Sequence, residues 1–179
     1  AGVVACGAFC GRGDLQKGGV IRRAAGHGSA RVRDAAVHAL ILCGRLSRQA
    51  LLELAHSWED ADLHEERCLV LGLSDAELMD DPSFVSAVLD ILDHIIEDLE
   101  RGSQVRSEDF KNLKKTMAYS LANPVAALPG KGKILFEQWM RLSSADVRWV
   151  LLESLKRSRL MQMDRDWVEQ QIEFLSSVE

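Results

Sequence analysis

Only three prolines, Pro82, Pro124 and Pro129, interrupt the 179 residues, and few stretches alternate β-branched and polar residues as a half-buried strand would. A chain rich in Leu, Ala, Glu and Arg and poor in helix breakers is expected to be all-α. The longest clean apolar runs fall well short of the roughly 20 residues a membrane span needs, so no transmembrane helix is expected. No charged leader precedes a hydrophobic segment, which argues against a signal peptide. The four cysteines, Cys6, Cys10, Cys43 and Cys68, form no C-x-x-C pair. No His/Cys cluster supplies the ligands a metal site would require. The glycines at 7, 11, 13, 18 and 19 follow no strand and lead to no Gly-Lys-Ser/Thr, so they are not a phosphate-binding loop.

What remains is a chain with 47% hydrophobic and 27% charged residues, of a size that suits one globular domain over residues 1–179. The net charge of −5 conceals a banded distribution. Residues 1–50 carry eight Lys/Arg against two Asp/Glu, residues 51–100 one against 15, and residues 101–179 13 against 10. An acidic middle thus lies between two basic flanks. The cysteines read as small buried apolar residues of a reducing cytoplasm. The first residue is Ala1, and residues 1–10 already read as helix, which is expected of a piece of a longer chain.

Spacing and punctuation divide the chain into ten or eleven short helices. The first ends at Gly11-Arg12-Gly13-Asp14, whose Arg-Gly-Asp is read as coincidence, and Asp14 is expected to cap the second. Ser29 caps a helix carrying Val32, Ala35, Ala36, Ala39, Leu40 and Cys43, with a break at Gly44 and a new cap at Ser47. A polar turn over residues 59–62 precedes a helix over 63–73, and Ser74 caps a short piece to Met79. Asp81-Pro82 opens the longest helix, with Phe84, Val85, Val88, Ile91, Leu92, Ile95, Ile96 and Leu99 on its apolar side. Asp90, Asp93, Glu97, Asp98 and Glu100 are expected on a solvated face. A polar loop over 101–106 follows, then a helix capped by Ser107. Residues 123–132, with two prolines and two glycines, are expected to be a long loop. Helices over 133–142, after Ser143-Ser144, and after Asp164 or Asp166 complete the chain.

Two segments resemble each other. Ser29-Ala30-Arg31-Val32-Arg33-Asp34-Ala35-Ala36-Val37-His38-Ala39-Leu40 and Ser144-Ala145-Asp146-Val147-Arg148-Trp149-Val150-Leu151-Leu152-Glu153-Ser154-Leu155 share Ser, Ala, Val, Arg and the final Leu without gaps. A degraded third copy begins at Asp60-Ala61-Asp62-Leu63-His64, with His64 in the place of the arginine. The pattern of a cap, then Val-Arg, then small and apolar residues resembles the second helix of a HEAT repeat. The resemblance covers residues 14–73 and 133–160 and is thin over 74–132. It implies stacked helical hairpins in an α-α superhelix, with Arg33 and Arg148 bridging to the turn of an adjacent repeat.

Candidate chemistry is sparse. Asp90, His94 and Glu97 lie near one helical face, yet no second helix offers matching ligands. Trp139, Trp149 and Trp167 are interspersed with Arg141, Arg148, Lys156, Arg157, Arg159 and Arg165, a mixture that can stack on bases and meet phosphates. The runs Asp146-Val147-Arg148-Trp149 and Lys156-Arg157-Ser158-Arg159-Leu160 resemble those of HEAT-like DNA alkylation repair glycosylases. That resemblance implies a basic, aromatic-lined groove, with Asp146 as the carboxylate to test. Otherwise the tryptophans seal the end of the stack. The favoured expectation is an interaction scaffold with a protein partner, no cofactor, no metal and no catalytic residue. Nucleic acid is the second choice of partner, and Arg33, Arg148, Trp149, Arg157 and Arg159 are the candidate binding residues.

Overall fold

The computed structural model describes residues 2–58, 60–102 and 107–177. Ala1, Glu59 and most of the expected loop over 101–106 lie outside the described residues. Among those described, the chain is helical throughout with no strand, and it divides into two compact units, Ala1–Phe84 and Val85–Glu179. No helix among them is long and apolar enough to cross a membrane.

The first unit contains α1 (Gly2–Gly11), a 3-10 turn (Leu15–Lys17), α2 (Gly18–Ala25), α3 (Ala30–Leu46), α4 (Arg48–His56), α5 (Leu63–Leu73) and a second 3-10 turn (Ala76–Leu78). It ends in the first turn of α6 (Pro82–Arg101). Leu40, Cys43, Leu51, Leu73 and Leu78 form its fully buried centre. A Cβ on Gly7 would stand 2.1 Å from the Ala39 carbonyl oxygen, so only glycine lets the α1 and α3 backbones touch. Gly11 lies against Cys43 and Leu46 further along the same pair. On the other side of α3, the Cys68 Sγ lies 3.8 Å from the Arg33 carbonyl oxygen, and Gly72 lies against Leu40. These registers advance together, so α1, α3 and α5 lie side by side and run in the same sense. Arg22 of α2 reaches α5, donating to both oxygens of Glu65 at 3.0 and 3.1 Å. Glu65 also closes a capping box with Asp62 at the start of α5.

Three expectations for this unit are corrected. Asp14 precedes a 3-10 turn and accepts no capping bond, while α2 starts later at Gly18. Gly44 is not a break but an interior residue of α3, where its missing side chain makes room for Leu51 and Leu78. The cap of the piece before Met79 is Asp75, whose carboxylate accepts from Glu77 N–H, and Ser74 instead ends α5.

The second unit contains the rest of α6, then α7 (Glu108–Ser120), α8 (Ala122–Ala127), α9 (Pro129–Trp139), α10 (Ala145–Leu155), α11 (Ser158–Met163) and α12 (Arg165–Ser177). The long loop expected over 123–132 is two helices. Both prolines sit in a first turn, Pro124 in α8 and Pro129 at the start of α9, where the missing N–H has no intrahelical acceptor to lose. Gly132 is a contact and not a breaker: a Cβ there would stand 2.7 Å from the Val125 backbone. The sequence expectation contains no counterpart of α11, whose one buried residue is Leu160.

The acidic side of α6 is not simply solvated. Asp90 pairs with Lys131 at 2.6 Å, Asp93 accepts from Trp139 Nε1 at 2.6 Å, and Glu100 accepts from the backbone N–H groups of Ser143 and Ser144 and from the Ser143 hydroxyl. The contacts advance from Asp90 to Glu100 as they advance from Lys131 to Ser144, so α6 and α9 run in the same sense. Next to α9, Lys133 meets Asp164 at 2.5 Å, and Trp167 Nε1 donates to Glu137 at 2.9 Å, aligning α12 likewise. The Lys133 bond, then the Trp167 N–H, hold the Asp164 carboxyl below its ordinary range. In the same way α7 and α10 are aligned through Lys114 with Asp146 and through Ser154 Oγ donating to the Ala118 carbonyl. Phe136 is buried between Trp139 and Trp167, with ring centroids 6.0 and 5.4 Å away. Each such contact is worth about 0.5–1.5 kcal/mol beyond burial.

Candidate interaction surface on the second unit

The hydrophobic pattern of α7 places Phe110, Leu113, Met117 and Ala118 inside, which leaves Lys111, Lys115 and Tyr119 outward at four-residue spacing. On α10, Val147, Val150, Leu151 and Ser154 are buried, and Trp149 falls on the outer side, 36% exposed. The two helices run side by side, so these outer residues form one seam.

At one end, Ser144 Oγ accepts from Asp146 and Val147 N–H and fixes the first turn of α10. Asp146 there receives Lys114 Nζ at 2.6 Å, and the same ammonium lies 4.8 Å from the centre of the Trp149 ring. At the other end, the Arg157 guanidinium lies 3.7 Å from the centre of the Tyr119 ring, a cation–π contact. Its Nε donates to the Glu153 carbonyl at 3.2 Å, which aligns the guanidinium with the end of α10. Tyr119 is 61% exposed. One turn further, Arg159 donates to the Asn123 side-chain oxygen at 3.2 Å.

Charge on the second unit is arranged unevenly. Lys111, Lys114, Lys131, Lys133 and Lys156 each meet a carboxylate. Arg157 and Arg159 are instead held by neutral partners, a phenol ring and an amide, and Lys115 is exposed on the same helix as Tyr119. The α7 and α10–α11 segments together hold seven Lys/Arg against four Asp/Glu.

Of the five candidate residues, the seam unites Trp149, Arg157 and Arg159. Arg148 lies on α10 beside them, half-buried. Arg33 belongs to the first unit, where its Nη1 donates to the carbonyls of His27 at 2.7 Å and Gly28 at 2.9 Å. It therefore closes the turn inside its own hairpin, between α2 and α3, and not that of an adjacent repeat. The sequence reading missed Lys114, Lys115, Tyr119 and Asn123, although the Lys111/Lys115/Tyr119 spacing on one helical face was a usable signal.

The tryptophans divide by role. Trp139 and Trp167 are buried and bonded in the core, whereas Trp149 is on the seam. Asp146, the carboxylate suggested by the glycosylase resemblance, is neutralised by Lys114. Asp90 of the Asp90/His94/Glu97 set is engaged by Lys131, and among the described residues no three His, Cys, Asp or Glu side chains converge as metal ligands would. The cysteines are unpaired, and burial raises the Cys43 thiol to about 12 and the Cys68 thiol to about 11. No family model, no curated protein and no solved structure matches the chain.

Proposed function

We propose that the chain is a HEAT-like helical-repeat interaction module that docks a protein partner and catalyses nothing itself. The observation that supports this reading is the register between helices. In the first unit α1, α3 and α5 run alongside one another in one sense, and in the second unit α6, α9 and α12 do so, as do α7 and α10. Hairpins stacked in series bring equivalent helices together in this way, and each hairpin buries its apolar face on the next. The ionisable side chains fit a scaffold as well. Glu65, Asp93, Glu100, Glu137, Asp146 and Asp164 each join one helix to another or fix a helix start, which gives these carboxylates a structural role. Four unpaired cysteines, three of them buried, suit the reducing cytoplasm in which we place the protein.

A second reading, binding of DNA with alkylation-repair activity, is favoured by one observation: basic and aromatic side chains, Lys115, Tyr119, Trp149, Arg157 and Arg159, share one surface. One experiment separates them. The chain is captured from its native lysate, the captured protein is purified, and the complex is rebuilt from the two components. In parallel, the chain is incubated with alkylated duplex DNA and base release is measured. A rebuilt complex of defined stoichiometry without base release supports the scaffold. Base release that disappears in Asp146→Asn, with no complex formed, overturns it.

A further inference from the structure

We infer that the α7–α10–α11 seam receives an acidic segment of the partner protein, with carboxylates meeting Lys115, Arg157 and Arg159 and apolar side chains resting against Tyr119 and Trp149. This rests on the interaction-module reading and adds the chemistry of the partner.

Charge complementarity carries the inference. Five of the six lysines of the second unit are already met by carboxylates of the chain. The guanidinium groups of Arg157 and Arg159 are positioned by neutral groups among the described residues. Tyr119 supports the first from one side at 3.7 Å, and the Asn123 amide oxygen fixes the second at 3.2 Å. The N–H bonds of a guanidinium lie in its own plane, so one held over a ring face can still donate two parallel bonds to a carboxylate. Because ring and backbone contacts already restrict Arg157, less side-chain entropy is lost when an anion docks. Tyr119 and Trp149 are the exposed aromatic residues of the seam and offer apolar surface between the cations.

The same geometry disfavours a nucleic-acid strand. Base stacking needs open ring faces, and here cations of the chain already occupy one face of each ring, Lys114 on Trp149 and Arg157 on Tyr119. A long polyanion would also meet a chain of net charge −5, whereas a short acidic segment needs only the few cations of the seam.

The test uses the full chain and three fluorescently labelled probes: a short peptide of glutamate interspersed with leucine, its glutamine counterpart, and single-stranded oligo-dT. Anisotropy is followed at rising salt. The acidic peptide is expected to bind and to weaken as salt rises, with the glutamine peptide and oligo-dT bound at least about tenfold more weakly, equivalent to 1.4 kcal/mol. Arg157→Gln and, separately, Lys115→Gln are expected to weaken the acidic peptide about tenfold and threefold with unchanged helical circular dichroism; Lys131→Gln, away from the seam, should not. Tighter binding of oligo-dT, equal binding of the glutamine peptide, or full binding by Arg157→Gln overturns the inference. If a protein partner is rebuilt into a complex that Arg157→Gln and Lys115→Gln leave intact, this inference fails while the interaction module stands. If no partner complex forms, the interaction module itself fails.

Discussion

The indole N–H of Trp139 donates to the Asp93 carboxylate at 2.6 Å, joining α9 to the side of α6 that hydropathy alone assigns to solvent. Trp139 is 2% exposed, so the bond satisfies a donor that water does not reach freely. Asp93→Ala leaves that N–H without its acceptor and is expected to cost about 1–3 kcal/mol. Asp98→Ala, five residues on at an exposed pair with Arg101, is expected to stay within about 0.5 kcal/mol. Urea midpoints of the two variants compare them directly.

Ser29 and Ser144 occupy equivalent places in the two similar segments, yet they are not equivalent physically. Ser144 Oγ accepts from Asp146 and Val147 N–H, while the Ser29 side chain makes no capping bond. Ser144→Ala is therefore expected to lower stability by about 1 kcal/mol, and Ser29→Ala by only about 0.3 kcal/mol. Equal losses in thermal unfolding would contradict the difference.

Glycine substitutions test how closely the helices approach. Gly132→Ala forces a methyl to 2.7 Å from the Val125 backbone, and Gly7→Ala forces one to 2.1 Å from the Ala39 carbonyl oxygen. Each is expected to destabilise by about 1–3 kcal/mol or more. Gly130→Ala, also in α9 but with nothing within 4 Å, is expected to stabilise by about 0.5–1 kcal/mol. The comparison of Gly130 with Gly132 within one helix removes helix propensity as an explanation.

Buried thiols give a pH dependence. Burial holds Cys43 at about 12 and Cys68 at about 11 against an ordinary 9.0. Above 9.0 the unfolded chain releases these protons while the folded chain keeps them. Their contribution to stability is therefore whole below 9.0 and declines as pH rises from 9.0 through about 11–12. Urea midpoints measured on either side of pH 9 are expected to fall on the alkaline side, and less so in Cys43→Ala. In the native state at neutral pH, a thiol reagent is expected to modify half-buried Cys6 first, with Cys10, Cys43 and Cys68 reacting only on unfolding.

The helical class and most helix starts are legible in local spacing because caps act locally: Ser47, Ser107 and Ser144 each accept the capping bond their position suggests. Residues 123–132 are misread because Pro124, Pro129 and Gly132 have one meaning in a loop and another in a first turn or a tight helix contact, and only the neighbouring backbone distinguishes them. The acidic side of α6 is misread for a similar reason, since Lys131, Trp139 and Ser143 lie more than 40 residues away in sequence from the acids they bind, Asp90, Asp93 and Glu100. At the seam, Trp149, Arg157 and Arg159 are legible from composition. Lys114 and Asn123 are not, because their contacts with those residues arise only when α7 and α8 lie beside α10 and α11.

Docking of a protein on the α7–α10–α11 seam of the second unit is what we propose. The most direct measurement places a photo-crosslinking residue on the seam in the full chain inside cells, as Tyr119→p-benzoylphenylalanine, with Glu97→p-benzoylphenylalanine on α6 as the comparison. A discrete protein adduct is expected at Tyr119, absent at Glu97 and lost when Arg159→Gln and Lys115→Gln are added. An adduct to nucleic acid alone at Tyr119, or identical protein adducts at both positions, would contradict it.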